Sequence, residues 1–193
     1  ISNKHGMTAL MRAVAKGHTA VVGALLQYPG INVNVRDRNS ITALMRAAKS
    51  GCTKIVRALL KHDKIDVHAE ATNGMTALIL GARFGNTEVV DALLTHRNID
   101  VNIEDSNVGE TALMWAAKKG YAEVVKVLLG HSKIDVNAKD KDGKTALTRA
   151  AEYGHTGVAK ALFSDDRISV NDKDENGQTA LMLAALYGHL DVV

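Results

Sequence analysis

The chain has little of several things on which other folds of its length depend. Its 193 residues include one cysteine, one proline and seven aromatic residues. A single cysteine cannot form a disulfide within the chain, which excludes a disulfide-stapled domain and favours a reducing compartment. No apolar run is long enough to cross a membrane as a helix. With so few aromatic residues, we expect alanine and leucine to fill the core, as they do where short helices lie close together.

The overall charge is also close to balanced. Twenty-four lysines and arginines face 21 acidic residues, which gives a net charge of +3 and a pI of about 9.0. A charge this small says little about the partner. No basic segment followed by an apolar one opens the chain, so no signal peptide is expected. Together with the single cysteine, this predicts an intracellular, cytoplasmic protein, with the nucleus as an alternative.

What the chain does have is a motif repeated at a fixed period. Thr-Ala-Leu-Met or a near copy occurs six times, and the threonines are 34, 34, 35, 34 and 34 residues apart. These threonines are Thr8, Thr42, Thr76, Thr111, Thr145 and Thr179. Such a period marks a repeat array, in which each block buries its apolar face against its neighbours.

One block shows what each unit contains. A turn signal ending at Gly143 precedes Thr145, which stands where a helix N-cap belongs. The alanine-rich stretch that follows predicts a short helix that ends near Gly154. The next residues carry a stripe at Val158, Ala159, Leu162 and Phe163, which predicts a second helix with one apolar face. An Ile-x-Val-Asn segment then leads, in extended form, to the next turn.

This arrangement resembles the ankyrin repeat. The resemblance depends on Gly-x-Thr-Ala-Leu-x-x-Ala-Ala-x-x-Gly, then Val-Val-x-x-Leu-Leu, then Asp-Val-Asn, and it covers nearly all of the chain. It implies an all-α solenoid of stacked helix-turn-helix units joined by β-hairpin-like loops. We expect a single domain over residues 1–193 with incomplete first and last repeats, as in a piece of a longer array. The expected repeats are 3–36, 37–70, 71–104, 105–139, 140–173 and the truncated 174–193.

The sequence departs from the family pattern in three ways. The usual Thr-Pro-Leu-His appears as Thr-Ala-Leu-Met, so we expect dispersion to replace the hydrogen bonds that the family histidine makes between repeats. The replacing residues are Met11, Met45, Ile79, Met114, Thr148 and Met182. Val108 is an insertion that we place at a turn tip. Ser40 and Ala71 replace the usual turn glycine and turn aspartate in two copies.

The resemblance also implies where a partner would bind. In such a stack the first helices and turn tips line a concave groove, to which three positions of each first helix point. These are the residue just before each Ala-Ala pair and the two residues after it. Across six copies, eight of the eighteen residues are basic and one is acidic, a local balance of +7. Four of the seven aromatic residues also stand there, and Trp, Tyr and Arg dominate binding energy at interfaces.

The first hypothesis is therefore a non-enzymatic, monomeric module that binds a protein or peptide of acidic character through this groove. The predicted partner-binding residues are Arg12, Lys16, Arg46, Lys49, Arg83, Phe84, Trp115, Lys118, Lys119, Arg149, Tyr153 and Tyr187. Binding of nucleic acid or another anionic ligand by the same groove is a second hypothesis, with the aromatic rings as stacking platforms. A targeting arm of a larger enzyme, such as a kinase or ubiquitin ligase, is a third. Against all three, basic residues also suit the ends of short helices whatever their function.

No other feature predicts chemistry. The eight histidines recur with the repeat, none is paired at metal-binding spacing, and no Cys–His cluster exists. Cys52 follows an inter-helix glycine without a partnered base, and the carboxylates are spaced by the repeat rather than gathered in pairs. No phosphate-cradling glycine loop occurs. We therefore expect no catalytic residue, cofactor or metal. The asparagine of each Asp-Val-Asn resembles a hydroxylation site of the family, although a structural role explains it equally well.

Overall fold

The computed structural model describes residues 2–192 as an all-α structure, as the sequence predicts. Within these residues lie eleven α helices and one short 3-10 helix, with no strand. Each repeat contributes a first helix that begins after the repeated threonine. These are α1 (Ala9–Ala15), α3 (Ala43–Lys49), α5 (Ala77–Arg83), α7 (Ala112–Lys119), α9 (Ala146–Glu152) and α11 (Ala180–Tyr187). The second helices are α2 (Thr19–Leu26), α4 (Thr53–Leu60), α6 (Thr87–Leu94), α8 (Ala122–Leu129) and α10 (Thr156–Phe163).

The chain forms two compact units, Ile1–Asp100 and Val101–Val193. In the first unit, α1, α3 and α5 pack side by side in one layer, and α2, α4 and α6 form a second layer behind them. In the second unit, α7, α9 and α11 form one layer and α8 and α10 the other. The expected single domain over 1–193 and its repeat boundaries stay a prediction.

Threonine begins every first helix. In each of the six copies the threonine hydroxyl accepts a hydrogen bond from the backbone N–H three residues on, at 3.2 to 3.4 Å. This bond satisfies one of the backbone donors that a helix leaves open at its start, and a cap of this kind contributes about 1 kcal/mol. The predicted N-cap at Thr145 is therefore confirmed.

Alanine and leucine build the core, and the methionine position is mostly apolar, as predicted. Met45, Ile79 and Met114 are each 1% exposed, which agrees with packing by dispersion. At Thr148 that expectation is wrong. Its hydroxyl accepts from the Thr145 N–H at 2.7 Å and donates to the Thr145 carbonyl at 2.9 Å, because a buried hydroxyl needs polar partners.

From α4 to α10 the second helices bury the predicted stripe except at its last position, whereas in α2 only Val22 is buried and Val21 is 49% exposed. Val158, Ala159 and Leu162 are buried, whereas Phe163 is 50% exposed. The residue equivalent to Phe163 in the other copies is only half-buried, because it stands at the helix C-terminus, where the stripe turns away from the first helix.

The return segments link neighbouring repeats through asparagine side chains. The Asn34 amide donates to the Lys64 carbonyl at 2.6 Å and accepts from the Asp66 N–H at 2.9 Å. Asn137 makes the equivalent two bonds, at 2.8 Å each. The expected extended pieces are turns rather than strands, and the asparagine joins two repeats rather than stabilising its own loop.

Each loop before a first helix closes as a tight turn with a left-handed residue near its tip. Val108 lies in such a turn, before Gly109 at φ +75°, as predicted. Ser40 takes the glycine position of the second repeat and adopts φ +58°; no other non-glycine residue among those described has a positive φ. A left-handed conformation costs a residue with a Cβ about 1 kcal/mol, so the serine strains this turn.

We expect Ser40→Gly to raise the free energy of unfolding by about 0.5 to 1 kcal/mol, because glycine adopts this conformation without steric cost. The matched control is Asn39→Gly in the same turn, where the backbone is not left-handed and glycine should destabilise by a similar amount. Urea denaturation of both variants measures the difference. A destabilised Ser40→Gly protein would contradict the assignment of strain.

Candidate functional site

In three repeats, a carboxylate at the start of the turn ties the turn to the following first helix. In the fifth repeat, Asp140 Oδ1 accepts the N–H groups of Asp142 and Lys144 at 3.0 and 2.9 Å. Asp37 does the same within its own turn, and Asp174 within the last one. The second carboxylate oxygen points at the first helix, toward the residue nine positions on, which is the residue that precedes the Ala-Ala pair.

In the first unit this second oxygen is bound by a predicted site residue. Asp37 Oδ2 accepts a hydrogen bond from Arg46 Nη2, and the Asp37 side chain is 5% exposed. Burial raises the pKa of Asp37, but the N–H groups of Ile41 and Asn39 and the Arg46 guanidinium outweigh it, so the pKa lies below its ordinary value. The charge of Arg46 is thus compensated within the fold.

Arg149 is held even more tightly in the second unit. Its guanidinium reaches Asp140 Oδ2 at 2.5 Å, Glu110 Oε1 at 3.0 Å and Glu152 Oε2 at 3.2 Å, and the residue is 5% exposed. Burial lowers the pKa of Arg149, but Asp140 and Glu110 outweigh it and raise the pKa. Arg149 is therefore a buried structural cation, and the structure does not support it as a contact for a partner.

Trp115 takes the same position in the fourth repeat, one residue later because of the Val108 insertion. Its indole N–H donates to Asp105 Oδ2 at 2.9 Å, and the residue is 8% exposed. Lys118 Nζ lies 4.9 Å from the ring centroid and 2.9 Å from Glu110 Oε1, a fully buried carboxylate. The sequence predicts Trp115 as a partner-binding residue, but in the described structure it is buried, and Lys118 lies over its ring.

Three repeats lack this tie. In the first repeat, Asn3 takes the aspartate position and its side-chain oxygen accepts the N–H groups of His5 and Met7, but Arg12 is exposed and makes no bond to it in the described structure. In the third repeat, Ala71 replaces the aspartate and Leu80 replaces the donor. In the last repeat, Asp174 remains but faces Leu183, and its buried Oδ2 has no hydrogen-bond partner in the described structure. The pairing thus fails on both sides at once in the third repeat, and on one side in the first and the last.

These ties revise the charge of the groove positions. Asp37, Glu110 and Asp140 stand outside the positions counted from the sequence, and each neutralises a basic residue within them. The Asp37–Arg46 and Asp140–Arg149 pairs could have been predicted from the sequence, since in each an aspartate precedes an arginine by nine residues. The contact of Glu110 with Arg149 could not, because Glu110 belongs to the preceding repeat.

Seven predicted residues keep exposed side chains. In the first unit these are Arg12, Lys16, Lys49 and Phe84, and in the second unit Lys119, Tyr153 and Tyr187. All lie on the first helices or in the last turn that follows them, so within each unit they share one layer. Phe84, Tyr153 and Tyr187 are 43%, 46% and 52% exposed. Tyr28, Tyr121 and Phe163, which lie outside the first helices, are exposed too, so exposure alone does not single out these positions.

Tyr153 and Tyr187 each pack against a histidine two residues on. The Tyr153 ring stacks on His155 with centroids 6.3 Å apart, and Tyr187 stacks on His189 at 6.4 Å. His155 Nε2 in turn lies 3.1 Å from the Lys118 carbonyl, and His189 Nε2 lies 3.1 Å from the Glu152 carbonyl. Each tyrosine is therefore oriented before any partner arrives.

A cleft in the first unit brings together four of the predicted residues. It lies between α3 and α5, has a volume of about 470 Å³, and is lined by Arg46, Lys49, Arg83 and Phe84 among others. Lys49 Nζ lies 5.2 Å and Arg83 Cζ 6.0 Å from the centroid of the Phe84 ring.

The described residues 2–192 contain no cluster of three metal-ligating side chains and no helix long and apolar enough to cross a membrane. Cys52 is a half-buried thiol whose sulfur lies 3.9 Å from the Ser50 carbonyl.

Comparison with known proteins gives a consistent result. A family model described as "Ankyrin repeats (3 copies)" matches residues 28–105, 44–140 and 113–193, and a model described as "Ankyrin repeat" matches residues 5–38. No curated protein matches the chain.

Two solved structures are similar over most of the chain. The ankyrin repeat protein EF0377 is 26% identical, with 99% of this chain and 96% of that one covered and a TM-score of 0.87. The ankyrin repeat domain of Bcl-3, described as a unique member of the IκB protein family, is 28% identical, with 95% and 80% covered and a TM-score of 0.86.

The turn carboxylates give a matched pair of variants. Asp140→Asn should cost about 2 kcal/mol of unfolding free energy, because it weakens a buried ion pair. Asp174→Asn keeps the oxygen that accepts the two N–H groups of the turn and replaces only the second oxygen, which has no donor in the described structure. It should therefore change stability by less than about 0.5 kcal/mol. Chemical denaturation measures both. Equal losses would show that Arg149 is not the cause.

Removing the Arg46 guanidinium should raise the pKa of Asp37. We expect Arg46→Met to move it upward in an NMR titration, with Arg38→Met, an exposed neighbour, as the control. Because the folded pKa is lowered, the stabilisation by Asp37 is present above the unfolded value of about 3.9 and is lost as pH falls through the folded value. Arg46→Met should therefore reduce the loss of unfolding free energy at acid pH. If the dependence of unfolding free energy on pH below about 4 stays the same in the variant, the assigned role of Arg46 is wrong.

Proposed function

The chain belongs to the ankyrin repeat family, and we propose that it is a non-enzymatic interaction module that binds an acidic partner protein or peptide through its first-helix layer. Ankyrin repeats generally serve as protein–protein interaction modules, and stacked repeats offer extended surfaces for that purpose. Such surfaces are formed before binding, which lowers the entropic cost of association.

The observation that supports the proposal best is that, within each unit, exposed side chains stand at the ends of the first helices. Phe84, Tyr153 and Tyr187 expose about half of their rings there, and Lys16 and Lys119 take the same position in other copies. Exposed aromatic rings that are already oriented lose little entropy on binding, which makes them effective anchors at interfaces.

The charge of the exposed residues favours an acidic partner. Arg12, Lys16, Lys49 and Lys119 are exposed and form no ion pair with the described residues. Basic groups of this kind attract carboxylates and speed association. Arg46 and Arg149 are not included, because their charges are compensated by Asp37 and by Asp140 and Glu110.

Nucleic acid is a poorer candidate for the same layer. Binding to a phosphate backbone requires several uncompensated cations in reach of one strand. Three of the eight cations counted from the sequence are neutralised by buried carboxylates, and exposed acids such as Asp142 and Glu175 stand at the turn tips.

Charge reversal on one layer of the first unit tests the proposal. Lys16→Glu with Lys49→Glu should lower capture of the bound partners about tenfold or more, because acidic groups are now repelled. Lys54→Glu with Lys61→Glu places the same charges on α4 and the turn after it, in the other layer, and should leave capture unchanged. Affinity capture from a lysate of the source cells, read by quantitative mass spectrometry, provides the measurement.

In the second unit, Tyr153→Ala with Tyr187→Ala should weaken capture of the same partners, whereas Tyr121→Ala, an exposed tyrosine at the start of α8, should not. Equal capture by all four variants and the unmodified protein would refute the assignment to the first-helix layer. Loss of binding to an oligonucleotide rather than to a protein would replace the proposed partner class.

A further inference from the structure

The third repeat contains the one place where the tie between turn and helix is absent on both sides. Asp37 and Arg46 fill this position in the second repeat, whereas Ala71 and Leu80 take it in the third. Replacing an ion pair by two smaller apolar groups removes both volume and polarity. The cleft between α3 and α5 lies at this site, and Ala71 and Leu80 line it.

The floor of the cleft is apolar. It is formed by Met45, Ala71, Met75 and Leu80, all of them mostly buried. Phe84 extends the apolar surface outward, since 43% of it is exposed. A volume of about 470 Å³ is in the range of sites that take a small ligand or a few side chains.

The rim of the cleft is cationic. Arg46, Lys49 and Arg83 stand around it, and no aspartate or glutamate is among the described residues that line it. Arg46 is compensated by Asp37, but Lys49 forms no ion pair with the described residues and lies 5.2 Å from the Phe84 ring centroid. The remaining rim groups, Asn39, Thr72 and Asn73, are neutral and can hydrogen-bond to a peptide backbone.

We infer that this cleft binds a partner segment in which one large apolar side chain is flanked by carboxylates. The apolar side chain would lie over Leu80 and against Phe84, and a carboxylate would meet Lys49. This inference rests on the proposed function and narrows it, since it gives the partner a sequence character and assigns its anchor to one repeat pair.

A peptide fits this cleft better than a nucleotide, although both combine an apolar group with negative charge. A base would need an open ring face on which to stack. Lys49 Nζ and Arg83 Cζ lie 5.2 and 6.0 Å from the Phe84 ring centroid, so two cations already contact the ring on which a base would stack. An aliphatic or aromatic side chain can instead use the ring edge and the leucine beside it.

The test compares two fluorescein-labelled peptides of twelve residues. In one, a central phenylalanine is flanked on each side by glutamates; in the other, alanine replaces the phenylalanine. We expect the unmodified protein to bind the first about tenfold more tightly by fluorescence anisotropy, as burial of one aromatic side chain predicts. A labelled single-stranded oligonucleotide of equal charge should bind more weakly than either peptide.

Two variants assign the preference to the cleft. Ala71→Asp with Leu80→Arg introduces the pair found in the second repeat and should abolish the tenfold preference while leaving the alanine peptide bound as before. Phe84→Ala changes an exposed side chain and adds no charge, and it should also reduce the preference for the phenylalanine peptide. Thermal unfolding of both confirms that they are folded. Lys49→Glu should weaken both peptides alike.

The outcomes separate the two proposals. A preference that is absent in the unmodified protein, or that survives Ala71→Asp with Leu80→Arg and Phe84→Ala, overturns the inference about the cleft. If the inference about the cleft is overturned but Lys49→Glu still weakens binding of both peptides, the proposed function stands without the cleft. If Lys49→Glu also leaves both unchanged, the acidic-partner proposal falls as well. Tighter binding of the oligonucleotide would overturn the choice of a peptide.

Discussion

In three of the repeats, a single carboxylate serves the turn and the first helix at once, and the rest of those repeats is built around it. One oxygen of Asp37 or Asp140 accepts two backbone N–H groups of its own turn, and the other accepts an arginine from the first helix nine residues on. A turn exposed to water is otherwise among the least stable parts of a repeat. The paired aspartate connects it to the packed helix layer, and Glu110 and Glu152 extend the connection around Arg149.

This constraint separates framework positions from positions that can vary. The residue before the Ala-Ala pair lies within reach of the turn carboxylate where one is present, so Arg46, Trp115 and Arg149 are used by the fold. Arg12 follows Asn3 rather than an aspartate and stays exposed. The second residue after the pair lies at the far end of the helix and cannot reach that carboxylate. It therefore differs from copy to copy as Lys16, Ser50, Phe84, Lys119, Tyr153 and Tyr187. Chemistry directed at a partner can change there without loss of the turn.

The sequence predicts the fold well because its determinants are local. The repeated threonine, the turn glycines and the alanine pairs act within a few residues, and the caps at Thr145 and its counterparts form as expected. The candidate site was predicted less well, because counting charges along a helix leaves out their partners. Arg149 resembles a surface cation in its own block, but its burial depends on Glu110, which comes from the preceding repeat and packs beside it only after folding. Trp115 likewise resembles a contact residue when its helix is considered alone, but its indole N–H donates to Asp105 in the turn before that helix.

Binding specificity in such an array can arise where the framework is relaxed, rather than where charge is densest. Asp174 keeps its role in the turn without a donor from Leu183, which shows that the turn tolerates loss of the helix contact. The third repeat goes further, because both members of the pair are apolar, and the space they leave opens between α3 and α5 beside Phe84. Replacing the pair by two smaller apolar residues converts a closed polar contact into an apolar hollow with a cationic rim.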